Sequence, residues 1–364
     1  MPLSNDARFM QLALRLAQRG LGRVWPNPSV GCVIVDVRGH VVARGWTQNG
    51  GRPHAETEAL ARAGVNARGA TAYVTLEPCA HQGQTGPCAE ALIKAGLVRV
   101  VSATVDPDPR VAGRGHDMLA AAGVHLRTGV LQDAARELNA GFFSRVQRAR
   151  PHITLKVATT LDGKIALSGG ESKWITGTAA RAHAHLVRSQ HDAIMVGSGT
   201  ALADDPELSC RLPGGDHPGL VRIVLDTTAK LPTTSKLVLS AARQPVWLLT
   251  SDHAATRELE ERKVKVFRLP TGPDGIDIQS CLKLLASQGL TRVLVEGGAR
   301  LASTLVKSGV VDQLLWYRSP AVMGEGKSVI SGFDCASIAE MPRFIRKETT
   351  RLGEDVLETY RVAT

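Results

Sequence analysis

Several things are scarce in this chain, and each shortage excludes a class of protein. Aromatic residues make up only 4% of its 364 residues, so a core must be built from Val, Leu, Ala and Ile. No stretch reaches 18 consecutive apolar residues, the length a membrane-spanning helix needs. The opening MPLSNDARFMQLALRLAQRG lacks the charged-then-apolar layout of a secretory signal and is interrupted by Arg8 and Arg15. It predicts the first helix of a cytoplasmic protein. Six cysteines in a chain this long give no disulfide framework, and Cys32 and Cys281 sit in apolar contexts that predict core positions. The net charge is +10, yet Lys and Arg never run to five or six in a row, and no aromatic-basic RNA-recognition pattern is present. That balance suits phosphorylated small molecules better than a polynucleotide. There is no long Gly/Ser- or Pro-rich linker, no repeat and no low-complexity tract.

What is present reads as a globular chain of two domains, with 43% hydrophobic and 21% charged residues. In the first half, apolar runs at 30–37, 41–46, 71–77, 99–105 and 124–127 predict strands. Helical spacing predicts helices over 5–19, 55–63, 87–95 and 115–122. The second half opens at Arg150-Pro151. It predicts strands at 152–158, 193–196, 221–226, 246–250, 265–269 and 292–296, then a last pair at 313–318 and 356–362. Its helices fall over 178–189, 276–287 and 299–308. Alternation of strand and helix in both halves gives the α/β class, with domains 1–149 and 150–364.

One constellation in the first half carries chemistry. His54 and Glu56 stand in Pro53-His54-Ala55-Glu56. Cys79 follows Pro78, and Cys88 comes after eight intervening residues. One imidazole and two thiolates suit Zn²⁺, and three protein ligands leave a fourth position for water. Glu56 is too close to His54 to share one tetrahedron and is better placed as the proton shuttle. The H-x-E and P-C elements match the zinc nucleobase deaminases, with the second cysteine displaced from C-x-x-C. A structural zinc with His81 as fourth ligand is the bland alternative. Both cysteines are expected at helix starts, where the dipole favours thiolate.

Longer stretches carry a family likeness. NPSVGCVIV (27–35), GRPHAE (51–56), LEPCAHQGQTGPC (76–88), DPDPRVAGRG (106–115), KVATTLDGKI (156–165), GESKWIT (170–176), ADDPEL (203–208) and VEGG (295–298) resemble the bifunctional deaminase-reductases of riboflavin biosynthesis. The likeness covers nearly the whole chain. It implies a cytidine-deaminase-like domain followed by a dihydrofolate-reductase-like domain. The first would hydrolyse the exocyclic amine of a diamino-ribosylamino-pyrimidinone 5′-phosphate, and the second would reduce the ribosyl chain to ribityl with NADPH. Carried over residue by residue, it implies zinc on His54, Cys79 and Cys88, acid-base work by Glu56, and Asn27 orienting the pyrimidine.

For the reductase the residues alone say less. There is no G-x-G-x-x-G after a strand, so a Rossmann site is not expected. Gly297-Gly298, between a strand and a helix, could admit phosphates but is also a plain turn pair. The resemblance places NADPH against Ala158, Trp174, Thr200, Asp204, Gly297 and Gly298. It places substrate against Ser172, Arg188, Leu208, Arg211 and Glu296, with Arg188 and Arg211 suited to the phosphate. Lys156 and Asp204 are its catalytic polar groups. It also implies a homo-oligomer through the reductase domain, and no nucleic-acid or membrane partner. The chain departs from the family pattern at Thr47, where many members have His, and at Gln84, where many have Arg. The competing reading is a nucleic-acid-editing zinc deaminase with an RNA-binding second domain.

Overall fold

The computed structural model describes residues 4–82, 86–212, 215–216 and 219–363. The chain divides into two compact units, 1–149 and 150–364.

In the first unit, helix α1 (Asn5–Ala17) precedes a hairpin of β1 (Gly31–Val35) and β2 (Val41–Trp46). Then come α2 (Ala55–Ala63), β3 (Thr71–Val74), α3 (Cys88–Lys94), β4 (Arg99–Ser102), α4 (Arg114–Ala121), β5 (His125–Arg127), α5 (Gln132–Leu138) and α6 (Ala140–Arg148). The sheet order is β2-β1-β3-β4-β5, antiparallel at β2-β1-β3 and parallel beyond. Side chains of a strand alternate between faces, and here both faces are covered. Cys32, Ile34, Ala72, Val74 and Val100 pack with Ala55 and Ala59 of α2 and Leu92 of α3. Val33, Val35, Tyr73 and Val101 pack with Met10, Ala13, Leu14 and Ala17 of α1. This explains the near-continuous apolar run of β1, whose five residues are all buried. Ser4 caps α1, its Oγ accepting from the Ala7 N–H at 3.3 Å. Asp6 in the first turn accepts from Arg99 at 2.7 and 2.9 Å, from Arg127 at 2.6 Å and from the Tyr73 hydroxyl at 2.9 Å, tying α1 to three strands.

The second unit runs β6 (His152–Thr159), β7 (Lys164–Leu167), α7 (Thr178–Ser189), β8 (Ala193–Gly197), α8 (Ser198–Asp204), β9 (Arg211–Leu212), β10 (Gly215–Asp216) and β11 (Val221–Leu225). It continues with α9 (Lys236–Leu239), β12 (Val246–Thr250), α10 (Arg257–Glu261), β13 (Lys265–Arg268), β14 (Thr271–Gly272), β15 (Gly275–Ile276) and α11 (Ile278–Ser287). It closes with β16 (Arg292–Val295), α12 (Ala299–Lys307), β17 (Gln313–Arg318), β18 (Gly326–Ser328), β19 (Phe344–Leu352) and β20 (Asp355–Val362). Its main sheet is ordered β13-β12-β11-β8-β16-β6-β17-β20-β19, parallel from β13 to β17 and antiparallel at β20 and β19. The strands predicted at 313–318 and 356–362 do pair, but they are not the last two elements. β19 lies between them in sequence and forms the sheet edge. Its residues are mostly exposed, so its FIRKETTRL carries no apolar alternation.

Candidate active site

The first unit converges its chemistry where α2 and α3 begin. His54 is the residue just before α2, and its side chain makes no cap hydrogen bond, which leaves the ring free to face the cysteines. Its Nδ1 lies 3.3 Å from the Cys88 Sγ and 3.7 Å from the Cys79 Sγ, and the three donor atoms all lie within 4.8 Å of one another. A tetrahedral zinc with ordinary bond lengths separates its N and S ligands by roughly 3.6 Å and its two sulfurs by roughly 3.8 Å. The donor set therefore fits Zn²⁺ in both chemistry and spacing. The group contains these three residues and not His81, which is exposed, so the four-ligand structural alternative lacks its fourth partner. Cys88 opens α3. Cys79 does not stand at a helix start in sequence, contrary to expectation; it lies in the loop after β3. Its sulfur nevertheless accepts the Cys88 backbone N–H at 3.3 Å. That bond, the Cys88 thiol and His54 hold the Cys79 thiol down to about 4, with the Cys88 contact the largest influence.

Glu56 sits in the first turn of α2 and is buried. Burial, reinforced by the Cys79 charge and opposed by His54, pushes its carboxyl up to about 7. A carboxyl beside three metal donors and poised near neutrality is suited to move a proton. Asn27 packs its amide on Gly51, which brings the NPSV segment against the strand-to-helix turn that delivers His54. Thr47 is buried. Its Oγ1 accepts the Val30 N–H at 2.9 Å and donates to the Pro28 carbonyl at 3.2 Å. From the other side Asn139 clamps Ser29, accepting its N–H at 2.8 Å and donating to its carbonyl at 2.9 Å. Gln84 lies outside the described residues.

Sequence reasoning missed Glu77, two residues before Cys79. Its buried carboxylate gathers four backbone N–H groups: Asp106 at 3.1 Å, Gly113 at 2.9 Å, Gly115 at 2.8 Å and His116 at 3.4 Å. It thereby binds the DPDPRVAGRG loop and the start of α4 to the segment carrying Cys79. A Cβ at Gly115 would overlap the Pro78 carbonyl oxygen, so only glycine permits that approach. A Glu immediately before Pro-Cys was the available signal.

In the second unit, a cavity of about 770 Å³ opens over the C-terminal ends of the parallel strands, as open α/β sheets arrange their ligands. It brings together Lys156, Ala158, Ser172, Trp174, Thr200, Asp204, Glu296, Gly297 and Gly298, all singled out from the sequence. Gly298 precedes α12 and donates its N–H to the Thr200 Oγ1 at 3.0 Å. A Cβ there would come within 3.3 Å of that oxygen. This glycine pair at a helix start, lining the cavity beside the Thr200 hydroxyl, fits the phosphates of a dinucleotide. Trp174 is 69% exposed, and the Arg181 guanidinium stacks on its ring at 4.7 Å. Asp204 pairs with Lys173 at 3.5 Å.

Three expected substrate residues lie outside that cavity lining. Leu208 is buried in the hydrophobic core beside Val224 and Leu248. Arg211 is exposed and reaches Glu207 at 3.9 Å. Arg188 is half-buried and engaged: its Nε and one terminal nitrogen bond Glu296 at 2.7 and 3.0 Å, and the other terminal nitrogen donates to the Ser209 carbonyl at 2.8 Å. The fork expected to face a phosphate is thus committed to a carboxylate, bidentate as such pairs prefer. Lys156 Nζ stands 3.9 Å from Glu296 and 5.4 Å from the centre of the Tyr317 ring. Burial raises the Glu296 carboxyl, but Arg188 and then Lys156 outweigh it and hold it at about 2. Burial lowers Lys156, with Glu296 opposing.

A hydrolytic metal site in one unit and a dinucleotide cavity in the other define a deaminase joined to a reductase. The comparisons agree unit by unit. Residues 3–104 match the cytidine and deoxycytidylate deaminase zinc-binding region, and residues 151–357 match the RibD C-terminal domain. Riboflavin biosynthesis protein RibD of Aquifex aeolicus is 41% identical over 97% of both chains. That of Escherichia coli is 39% identical over 97% of this chain and 98% of its own. The solved structure of Acinetobacter baumannii RibD superposes with a TM-score of 0.90 at 37% identity. A Thermotoga maritima diaminohydroxyphosphoribosylaminopyrimidine deaminase/5-amino-6-(5-phosphoribosylamino)uracil reductase does so with 0.88 at 35%. Each covers 99% of both chains. The chain belongs to the RibD family of bifunctional riboflavin-biosynthesis deaminase-reductases, with a zinc-binding cytidine-deaminase-like domain and an NADPH-using reductase domain. That membership supports the deaminase-reductase reading over the editing-deaminase alternative. No described helix is long and apolar enough to cross a membrane.

Proposed function

We propose that residues 1–149 remove the ring amine of the diamino-ribosylamino-pyrimidinone 5′-phosphate, and that residues 150–364 reduce the ribosyl chain of the product to ribityl. The observation that carries the reading is the convergence of His54, Cys79 and Cys88 within 4.8 Å, beside the buried Glu56. His54, Cys79 and Cys88 would hold zinc, which would supply an activated water at neutral pH. Glu56 accepts a proton from that water and passes it to the departing amine, so that water and amine become carbonyl and ammonia. Asn27 orients the pyrimidine from the loop clamped by Thr47 and Asn139.

In the second unit NADPH supplies the hydride. The chain's part is to bind and align the two reactants. Gly297, Gly298 and Thr200 face the cofactor's phosphates, and Ala158, Trp174 and Asp204 lie along it. Ser172, Lys156 and Glu296 meet the sugar. The ion pair fixes Arg188 and Glu296 against each other, so Arg188 positions Glu296 while Arg211, exposed at 68% of its side chain, is the freer phosphate partner. Leu208 contributes through its backbone, since its side chain is in the core. Lys156, 3.9 Å from Glu296, is the nearest donor for a proton arriving on the reduced sugar. The same reading keeps the enzyme in the cytoplasm, where thiols stay reduced. It also keeps self-association through the reductase unit, and no nucleic-acid partner.

The test follows ammonia and NADPH separately on the purified chain. Ammonia release without NADPH, then NADPH oxidation once it is added, is expected. Glu56→Gln should retain zinc and lose about 10²–10⁴ in deamination, while reduction of pre-deaminated substrate continues. Persistent deamination in that variant removes Glu56 from the proton path.

A further inference from the structure

The cavity of the second unit has two distinguishable ends. Along the sheet it spans β6, β16, β8 and β11, three strand steps or roughly 14 Å. Lys156 and Glu296, the groups that meet substrate, stand at the β6 and β16 end, so on the proposed function above the nicotinamide lies there. Gly297 and Gly298 take the phosphates in the middle. The adenosine is left for the β11 end, lined by Leu225, Thr227, Ile276 and Ile278.

One cation lines that end among the described residues. Arg300 lies in the first turn of α12, is exposed, and bonds the Asp274 carbonyl at 3.1 Å through one terminal nitrogen. Asp274 sits in the turn between β14 and β15, and the next residue, Gly275, packs on the Thr227 hydroxyl. Arg300 is therefore tethered to the same wall as Thr227. The other cations of the cavity are paired or stand on a different strand pair. Lys173 pairs with Asp204, Arg181 stacks on Trp174 and donates to the Thr176 carbonyl at 2.6 Å, and Lys156 faces Glu296. Lys327 is on β18, which pairs with β7 and not with the main sheet. Arg300 also stands where a helix disfavours positive charge: the N-terminal turn of α12 carries no acidic residue, and the dipole there repels a cation. Among the described residues Arg300 makes no ion pair within 4.0 Å; its partner is the Asp274 carbonyl. A dianion at that position would answer both the guanidinium and the helix terminus.

We propose that Arg300 is the specificity-determining residue that reads the 2′-phosphate of NADPH and sets the preference over NADH. The guanidinium forks onto the phosphate oxygens while the Asp274 carbonyl holds its other edge.

The test is equilibrium binding to the full-length chain, by calorimetry, of adenosine 2′,5′-bisphosphate against 5′-ADP, followed by NADPH against NADH. The wild type is expected to bind each 2′-phosphorylated ligand about 10- to 100-fold tighter, as a charge-assisted contact provides, with the ratio falling as salt rises. Arg300→Met should abolish that ratio and leave 5′-ADP affinity and the melting temperature unchanged. Arg300→Lys should keep part of it. A ratio that survives Arg300→Met, or no ratio in the wild type, overturns the assignment while leaving the dinucleotide site intact. Failure of all four ligands to bind the folded wild type removes the dinucleotide reading itself, and Arg300 with it.

Discussion

Glu296→Gln is the perturbation that most directly tests how the reductase site is held together. The Glu296 carboxylate is bonded at 2.7 and 3.0 Å by Arg188 and faces Lys156 at 3.9 Å. An acid held at about 2 instead of its ordinary 4.5 gains about 3 kcal/mol from its ionised-state contacts near neutral pH. The amide removes the negative charge but leaves Arg188 and Lys156 in place, so two half-buried cations lose their shared partner. Breaking a buried pair from one side costs about 3–5 kcal/mol, which agrees with the first figure. For a unit of this size that corresponds to a fall of roughly 10 °C in melting temperature. The sign of the pH dependence follows from the lowered acid. The stabilisation is fully present above pH 4.5 and fades as the pH falls towards 2, so wild type and variant converge in acid. Urea unfolding of both proteins at pH 7 and at pH 3 measures it. A variant within 1 kcal/mol of wild type at pH 7, or a gap that does not narrow in acid, refutes the argument. Arg188→Met with Glu296→Gln closes the cycle, and a coupling of about 1–3 kcal/mol is expected.

Three further outcomes are expected. Cys79→Ser should lower the zinc content of the purified chain, read by atomic absorption, while NADPH affinity stays at the wild-type value. Gly115→Ala places a methyl on the Pro78 carbonyl and should cost the first unit about 2–3 kcal/mol and lower deamination, with reductase activity as the internal control. Asp6→Asn removes the carboxylate that Arg99, Tyr73 and Arg127 share, and should destabilise the first unit by about 2 kcal/mol at pH 7. Because the Arg99 hydrogen bond foremost holds Asp6 at about 2, that loss should shrink as pH falls from about 4 towards 2.

How much of this was legible depended on whether residues acted locally. The helices at 55–63 and 178–189 and the strands at 246–250 and 313–318 stand where their spacing put them, because a single amphipathic face or a buried run defines each. His54, Glu56, Cys79 and Cys88 were legible as a set because metal chemistry restricts residue types sharply. β19 was not: its side chains face solvent, and only pairing with β20 makes it a strand. α5 and α6 were missed although Leu131, Ala135, Leu138 and Phe142 recur at helical spacing. Arg188 and Glu296 were named as two separate substrate contacts. That they spend their charge on each other is a fact of 108 residues' separation, which no local pattern carries. Leu208 entered as a contact residue on resemblance alone, and its side chain belongs to the core.

The departures from the family pattern bear on the same distinction. Thr47 replaces the histidine of many relatives without touching the metal donors, since its hydroxyl is spent on Val30 and Pro28. What it shapes is the loop that carries Asn27. Asn139, in the turn between α5 and α6, grips that loop from the opposite side through Ser29. Glu77 does the equivalent for Cys79, fastening the loop at 106–116 to the segment that bears the thiolate. Of the groups proposed to meet metal and substrate, Asn27, His54 and Cys79 sit on loops while Glu56 and Cys88 open helices, and the precision those loops need comes from buried polar side chains on distant elements. A family motif records the first kind of residue. Thr47 is of the second kind: its hydroxyl satisfies backbone groups of the Asn27 loop and touches no metal donor.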